Sequence, residues 1–244
     1  MKIPLPSRVI KICGLREYSH FQEATAAGAD LLGMVFVSGV RRKVEPETAQ
    51  EIVSRLKRGF CTSSLLKQQN PSFVGLFCDQ PSSEVNRIVE SVGLDWVQLC
   101  GEESVDYWKS IESPIFKVLH VPPVEGNSVL SRRATLESLE SSIYEVERNG
   151  VLAILDRSSE HQPGGTGRQF DWTIAQELSD NHHRFLLAGG LTPTNLKNAI
   201  ETVVPFGVDV SSGVETNQIK DPEKIREFVQ IARDTFSYVR IDES

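Results

Sequence analysis

The chain has 244 residues, of which 39% are hydrophobic and 24% are charged, and its formal net charge is −7. These proportions are typical of a globular protein. Nucleic acids and anionic membranes need clustered positive charge, so we expect neither as a partner. The apolar runs are far shorter than the roughly 18 to 20 residues of a membrane span.

The N-terminus and the cysteines favour a cytoplasmic protein. The opening segment, MKIPLPSRVIKICG, carries charges and prolines where a signal peptide needs a continuous apolar stretch. The four cysteines lie far apart without a CxxC pair, at Cys13, Cys61, Cys78 and Cys100. This spacing argues against a disulfide framework and fits reduced thiols.

Two apolar patterns alternate along the chain. Short, nearly continuous apolar runs are typical of parallel strands covered on both faces. They predict eight strands, at 9–13, 31–37, 73–77, 96–99, 116–120, 151–155, 184–188 and 208–210. Apolar residues with i, i+3, i+4, i+7 spacing predict surface helices, among them 49–56, 85–92, 196–203 and 225–232. Thr192 and Asp221 are predicted N-caps, because each precedes a proline suited to the first turn of a helix.

Eight strands alternating with helices predict an α/β fold, a (β/α)₈ TIM barrel, as one domain over residues 1–244. The rival is a doubly wound open sheet, which would normally carry a glycine-rich loop after its first strand. Here that position reads CGLRE, with one glycine. A longer connector near 58–72 interrupts the alternation of strands and helices, and we expect it to lie away from the active site.

The loops after strands seven and eight predict a phosphate site. Gly189 and Gly190 follow strand seven, and Ser211 and Ser212 follow strand eight. Barrels frequently bind phosphate with these two loops, through backbone N–H groups. The alternative is that GG and SSG are only tight turns.

Four other residues in or just after the predicted strands could carry chemistry, and each has a structural alternative. Cys13 ends strand one but could be a buried core thiol. Asp156 ends strand six, where it must face the barrel mouth or be paired, because an unpaired buried carboxylate is costly. Its structural alternative is a loop cap. Arg42 could be a solvated charge, and Asp209 could be a structural hydrogen-bond acceptor within strand eight.

No pattern in the sequence indicates a metal or a nucleotide cofactor. HExxH, EF-hand and Walker-A motifs are absent from the sequence. The histidines near strand ends, His120 and His161, do not complete a Ser-His-Asp triad in an order that can be defended.

The strand-end motifs together identify a family. The chain resembles N-(5'-phosphoribosyl)anthranilate isomerase of tryptophan biosynthesis, with a fungal-like free-standing form, from about residue 11 to residue 228. The similarity rests on KICGLRE, GADLLGMVF, VGLF, VQL-x-GEE, LD, GGTGRQFDW, LAGGLTPTNL and GVDVSSGVETN-x-x-KD.

This resemblance implies a (β/α)₈ barrel that catalyses an Amadori rearrangement without a cofactor. It implies that Cys13 is the general base and Asp156 the general acid. It also implies that Arg42 binds the anthranilate side of the substrate. The phosphate would be held at Gly189, Gly190, Ser211 and Ser212, and we count Asp209 among the substrate-binding residues.

The chain departs from the family pattern at two positions, where Val40 replaces a serine and Cys100 replaces a histidine. We therefore keep as an alternative a non-catalytic or altered barrel that binds a phosphorylated sugar. A second alternative is the aminoaldose isomerase of histidine biosynthesis, which uses two aspartates rather than a cysteine and an aspartate. The substrate is expected to be a small phosphorylated molecule and the protein a monomer.

Overall fold

The computed structural model describes residues 5–6, 8–62, 70–122, 129–157 and 172–239, without the side chains of residues 60–62 and 129. Residues 63–69 of the predicted connector near 58–72 lie outside the described residues, as does His161. Within the described ranges, no helix is both long enough and apolar enough to cross a membrane.

The chain forms two compact units, Met1–Phe116 and Lys117–Ser244. Strand β5 (Ile115–Val121) spans the boundary between them. The first unit contains β1 (Val9–Ile12), α1 (Tyr18–Ala27), β2 (Leu31–Val35), α2 (Pro46–Thr62), β3 (Ser72–Phe77), α3 (Ser82–Val92), β4 (Trp96–Leu99) and α4 (Val105–Lys109). The expectation of a single domain stays a prediction.

The second unit continues the alternation of helices and strands. It contains α5 (Val129–Arg148), β6 (Leu152–Arg157), α6 (Trp172–Asp180), β7 (Phe185–Leu187), α7 (Pro193–Val203), β8 (Gly207–Val210), β9 (Glu215–Thr216), β10 (Ile219–Lys220) and α8 (Pro222–Tyr238). The last two strands are a separate antiparallel pair.

Strands β1 to β8 form a closed barrel in chain order, which confirms the predicted fold and excludes the open sheet. Pairing is parallel, with Lys11 opposite Leu31 between β1 and β2. The predicted strands are confirmed, with ends that differ by one or two residues. Most consequentially, β6 extends past Leu155 and contains Asp156. The prediction ended the strand where the apolar run ends, whereas backbone pairing does not depend on side-chain polarity.

The predicted apolar stripes are the buried faces of the helices. In α3 the buried residues are Val85, Ile88, Val89 and Val92. Complete burial of one such side chain contributes about 1.5–3 kcal/mol. The predicted cap at Asp221 is confirmed, since its carboxylate accepts the N–H groups of Glu223 and Lys224. Thr192 likewise occupies the N-cap position of α7.

Candidate active site

Cys13 directly follows β1 and is 4% exposed. Its neighbour on β2 is Gly33, where an added β-carbon would lie 3.0 Å from the Cys13 sulfur and 3.1 Å from the Cys13 Cα. The missing side chain of Gly33 therefore provides the space that the thiol needs. Lys11, two residues earlier on the same strand, is fully buried, and strand alternation places it on the same side as Cys13.

Cys100 follows β4, and its thiol is poorly suited to act as a base. Burial raises the pKa of Cys100 to about 12, while the Gln98 side-chain hydrogen bond opposes the rise. That bond joins Gln98 Nε2 to the Cys100 sulfur over 3.4 Å. A thiol with this pKa remains protonated near neutral pH, so Cys100 does not supply a thiolate base.

A buried carboxylate, which the sequence reasoning missed, joins the loops after β3 and β4. Glu103 Oε1 accepts the backbone N–H of Asp79 at 3.0 Å and that of Gly101 at 3.1 Å. Asp79 Oδ1 in turn accepts the N–H of Glu102 at 2.8 Å. A β-carbon on Gly101 would lie 2.2 Å from Asp79 Oδ1, so any other residue there would displace the Asp79 carboxylate. Glu103 belongs to the GEE motif of the family resemblance, but sequence spacing does not predict that its side chain links two loops.

Arg42 lies in a turn after β2 and is half-buried. The turn is tied to the strand, because the N–H of Val44 donates to the carbonyl of Val35 at 2.8 Å. Arg16 Nη1 donates to the Arg41 carbonyl at 3.0 Å, which orders the residue before Arg42. Val40, the position that departs from the family pattern, is 41% exposed.

In the second unit, Asp156 is the penultimate residue of β6, where burial raises the pKa of its carboxyl. The backbone N–H of Arg157 donates to Asp156 Oδ1 at 2.7 Å and opposes this shift. The charge of Asp209 raises the pKa further, and His120 lowers it. A raised pKa favours the neutral carboxylic acid, which is the form that can donate a proton.

Asp209 and His120 differ in their surroundings. Asp209 lies within β8 and is 8% exposed. His120 is on β5 with an exposed side chain. Both act on Asp156 through their charges, so the second unit places the predicted acid beside a buried carboxylate.

The GGL loop follows β7 and leads into α7. Gly189 and Gly190 have φ values of 81° and 78°, in the left-handed region that favours glycine. Asn195 organises the loop, because its Nδ2 donates to the Gly190 carbonyl and its Oδ1 accepts the Thr192 N–H. The loop therefore leads into the N-terminus of an eleven-residue helix, where the helix dipole favours an anion.

The SSG loop, which contains Ser211, Ser212 and Gly213, lies directly against the GGL loop. A β-carbon on Gly213 would lie 1.8 Å from the Leu191 carbonyl oxygen. The structure thus brings together the two loops that the sequence predicted to bind phosphate. The described part of the chain contains no group of three or more His, Cys, Asp or Glu side chains that could hold a metal ion.

Comparisons with known proteins converge on one family. The family model described as N-(5'phosphoribosyl)anthranilate (PRA) isomerase matches residues 10–231. The N-(5'-phosphoribosyl)anthranilate isomerase of Desulforudis audaxviator is 37% identical over 230 residues, which are 93% of this chain and 98% of that protein. The enzyme of the same name from Wickerhamomyces anomalus is 34% identical over 92% of this chain and 99% of that protein.

Solved structures are also similar. Phosphoribosyl anthranilate isomerase from Thermotoga maritima aligns with a TM-score of 0.75 at 28% identity, over 93% of this chain and 99% of that chain. A phosphoribosyl anthranilate isomerase in complex with reduced 1-(o-carboxyphenylamino)-1-deoxyribulose 5-phosphate aligns with a TM-score of 0.72 at 27% identity, with the same coverage.

Proposed function

Because the chain belongs to the N-(5'-phosphoribosyl)anthranilate isomerase family, we infer that it catalyses that family's reaction. The reaction is the Amadori rearrangement of N-(5'-phosphoribosyl)anthranilate to 1-(2-carboxyphenylamino)-1-deoxyribulose 5-phosphate, an aldose-to-ketose isomerisation in tryptophan biosynthesis. A structure of a relative with a reduced form of this product supports the substrate class.

We propose that Asp156 is the general acid of this reaction. Its carboxyl would protonate the furanose ring oxygen, and the ring would open to an iminium at C1'. The observation that carries this assignment is the raised pKa of Asp156, caused first by burial and then by Asp209. A carboxyl with a raised pKa keeps its proton to a higher pH than an ordinary aspartate does, and the neutral form is the one that can donate a proton.

We propose that Cys13 is the general base. The iminium nitrogen acidifies the C2' proton, and the Cys13 thiolate would take that proton to form an enolamine. The enolamine then tautomerises: C1' gains a proton, and the C2' hydroxyl loses one to become the ketone. Cys13 and Asp156 both lie at carboxyl ends of barrel strands, where barrels build their active sites.

We propose that the substrate is held at its two anionic ends. The phosphate would bind the loops with Gly189, Gly190, Ser211 and Ser212, supported by their mutual contact and by the start of α7. Arg42 would bind the anthranilate carboxylate through two parallel hydrogen bonds. Asp209 would bind the sugar.

Two tests address the activity. Expression of the chain should restore growth without tryptophan in a strain that lacks the isomerase, and the purified protein should convert the substrate in vitro. If the protein binds a phosphorylated ligand but does not convert the substrate, the alternative of a non-catalytic barrel is favoured instead. Cys100 stands where the family has a histidine, so the in vitro rate also shows whether this replacement lowers the activity.

We further propose that the protein is a monomer in the cytoplasm. Reduced thiols are usual in the cytoplasm, and within the described residues Cys13, Cys78 and Cys100 form no disulfide. A Thermotoga maritima relative is described as dimeric, so light scattering at several protein concentrations is the appropriate test. A concentration-independent mass of two chains would refute the monomer.

A further inference from the structure

A short hairpin returns the chain to the SSG loop. β9 and β10 pair in antiparallel fashion, with Lys220 opposite Glu215. Between the strands, Asn217 and Gln218 have φ values of 50° and 66°. Positive φ at both central residues is the pattern of a two-residue type I′ turn. This turn brings Lys220 within hydrogen-bond distance of Ser211.

The Lys220 ammonium is buried and paired. The side chains of Lys220 and Glu215 are only 3% and 6% exposed, and Nζ lies 3.0 Å from Glu215 Oε1. Lys220 Nζ also donates to the backbone carbonyl of Ser211 at 2.7 Å. A buried ammonium needs such partners, because loss of hydration is costly. With its charge balanced and its side chain covered, Lys220 contacts the loop through the backbone.

Together with a longer hydrogen bond from the Val214 N–H to the same carbonyl at 3.5 Å, the Lys220 hydrogen bond sets the orientation of the peptide between Ser211 and Ser212. A trans peptide is planar, so its carbonyl and its N–H point in opposite directions, and no cis peptide occurs among the described residues. With the Ser211 carbonyl turned toward Lys220, the Ser212 N–H is turned away from the hairpin. The Gly213 contact with Leu191 holds this peptide beside the GGL loop.

We propose that Lys220 is a positioning residue for phosphate binding. It directs the Ser212 N–H toward the phosphate by holding the Ser211 carbonyl, while Glu215 balances its charge. This inference rests on the proposed function, since it takes the substrate's phosphate as the ligand of the SSG loop.

The test compares three variants with the wild type. Lys220→Met alone would remove the ammonium that balances the buried Glu215 carboxylate, so the informative variant is Lys220→Met/Glu215→Gln, which removes both charges together. Thr216→Val is the matched control, because Thr216 lies in the same hairpin and its hydrogen bond goes to Asp221, the N-cap of α8, rather than to Ser211. Gly190→Asp places a negative charge in the GGL loop. The measurements are KM and kcat, competitive inhibition by inorganic phosphate, and thermal unfolding.

The double variant should raise KM and weaken phosphate inhibition by about 10- to 100-fold, as expected for loss of a hydrogen bond to a charged group. Its kcat at saturating substrate should stay near the wild-type value. Thr216→Val should lower the unfolding temperature and leave KM and phosphate inhibition unchanged. A lowered unfolding temperature with unchanged phosphate inhibition in the double variant would overturn the positioning role.

Gly190→Asp distinguishes failure of the phosphate site from failure of the role proposed for Lys220. If it abolishes phosphate inhibition while the double variant does not change it, the phosphate site stands and the role of Lys220 is refuted. If phosphate inhibits Gly190→Asp as strongly as the wild type, the phosphate site itself is wrong, and the inference falls with it.

Discussion

At the scale of single residues, the site depends on small side chains as much as on reactive ones. Gly33 is opposite the proposed base, and the Cys13 sulfur fills the space where a β-carbon would be. The structure also distinguishes two cysteines that the sequence presents alike. Cys100 has a pKa of about 12, which leaves Cys13 as the candidate for a thiolate.

Gly33→Ala should lower kcat more than it raises KM. The new β-carbon would approach the Cys13 sulfur to 3.0 Å, so the thiol must move by a few tenths of an ångström. Acid–base catalysis contributes about 10²–10⁴-fold and depends on such placement, so we expect a substantial part of it to be lost. Gly59→Ala in α2 is the matched control, since its β-carbon meets no atom within 4 Å. Equal kcat values in the two variants would contradict the tight fit.

Cys13→Ser and Asp156→Asn should each nearly abolish kcat. A serine hydroxyl is too weakly acidic to supply a base near neutral pH, and an amide cannot protonate the ring oxygen. Both variants should still bind reduced 1-(o-carboxyphenylamino)-1-deoxyribulose 5-phosphate, because its anionic ends are held elsewhere. Turnover at saturating substrate is the measurement. A folded Cys13→Ser variant with near wild-type kcat would refute the mechanism.

Arg42→Lys should raise KM although the charge is kept, because an ammonium cannot form the two parallel hydrogen bonds of a guanidinium. Arg41→Lys is the matched control, since Arg41 is the exposed neighbour in the same turn. Steady-state kinetics of the two variants decide the assignment. A loss confined to Arg41→Lys would shift the anthranilate contact by one residue.

At the scale of elements, the strands place the site residues at or near their carboxyl ends, and contacts between loops fix the loop conformations. The loops after β3 and β4 share the Glu103 carboxylate, and the loops after β7 and β8 meet at Gly213 and Leu191. At the first junction a buried carboxylate accepts backbone N–H groups from two segments, and at the second a glycine allows two backbones to approach closely. Such cross-links keep irregular backbone in one conformation, because an unsatisfied buried N–H is costly.

Glu103→Ala should therefore reduce the free energy of unfolding by about 1–3 kcal/mol, because two backbone N–H groups lose their acceptor. Asp106→Ala is the control on the adjacent helix α4. Its carboxylate is 92% exposed and pairs only with Lys109 among the contacts described for it, so we expect a change within about 0.5 kcal/mol. Urea unfolding of both variants measures the difference. Equal losses would show that Glu103 does not tie the loops.

At the scale of the whole molecule, the barrel was predictable because its strands are covered on both faces. All six residues of β3 are buried, which is why this strand appears in the sequence as a nearly continuous apolar run. The predicted strand ends were less accurate, since Asp156 continues β6 beyond the apolar run. The Lys220–Glu215 pair was not foreseen, because it depends on a turn at Asn217 and Gln218 that has positive φ without glycine. Gly33 and Glu103 act through contacts between segments, which single-sequence periodicity does not contain.

The same scale governs how stability depends on pH, and two aspartates should act in opposite directions. Burial raises the pKa of Asp156 above its unfolded value of about 3.9. Its contribution to stability is complete below the unfolded pKa and is lost as pH rises through the folded pKa. The hydrogen bond from Thr216 is the first cause of the lowered pKa of Asp221. That contribution is present above the unfolded pKa and is lost as pH falls through the folded pKa.

Asp156→Asn and Asp221→Asn remove these titrations one at a time. As pH rises above the unfolded pKa, the stability of wild type relative to Asp156→Asn should decrease, because only the wild type must ionise a carboxyl whose pKa is raised by folding. As pH falls from 5 toward 3, the stability of wild type relative to Asp221→Asn should decrease, because only the wild type loses a charged cap. Urea unfolding at closely spaced pH values measures both differences. Slopes of the same sign would contradict the opposite pKa shifts, and a flat Asp156→Asn difference would remove the physical basis for Asp156 as a proton donor.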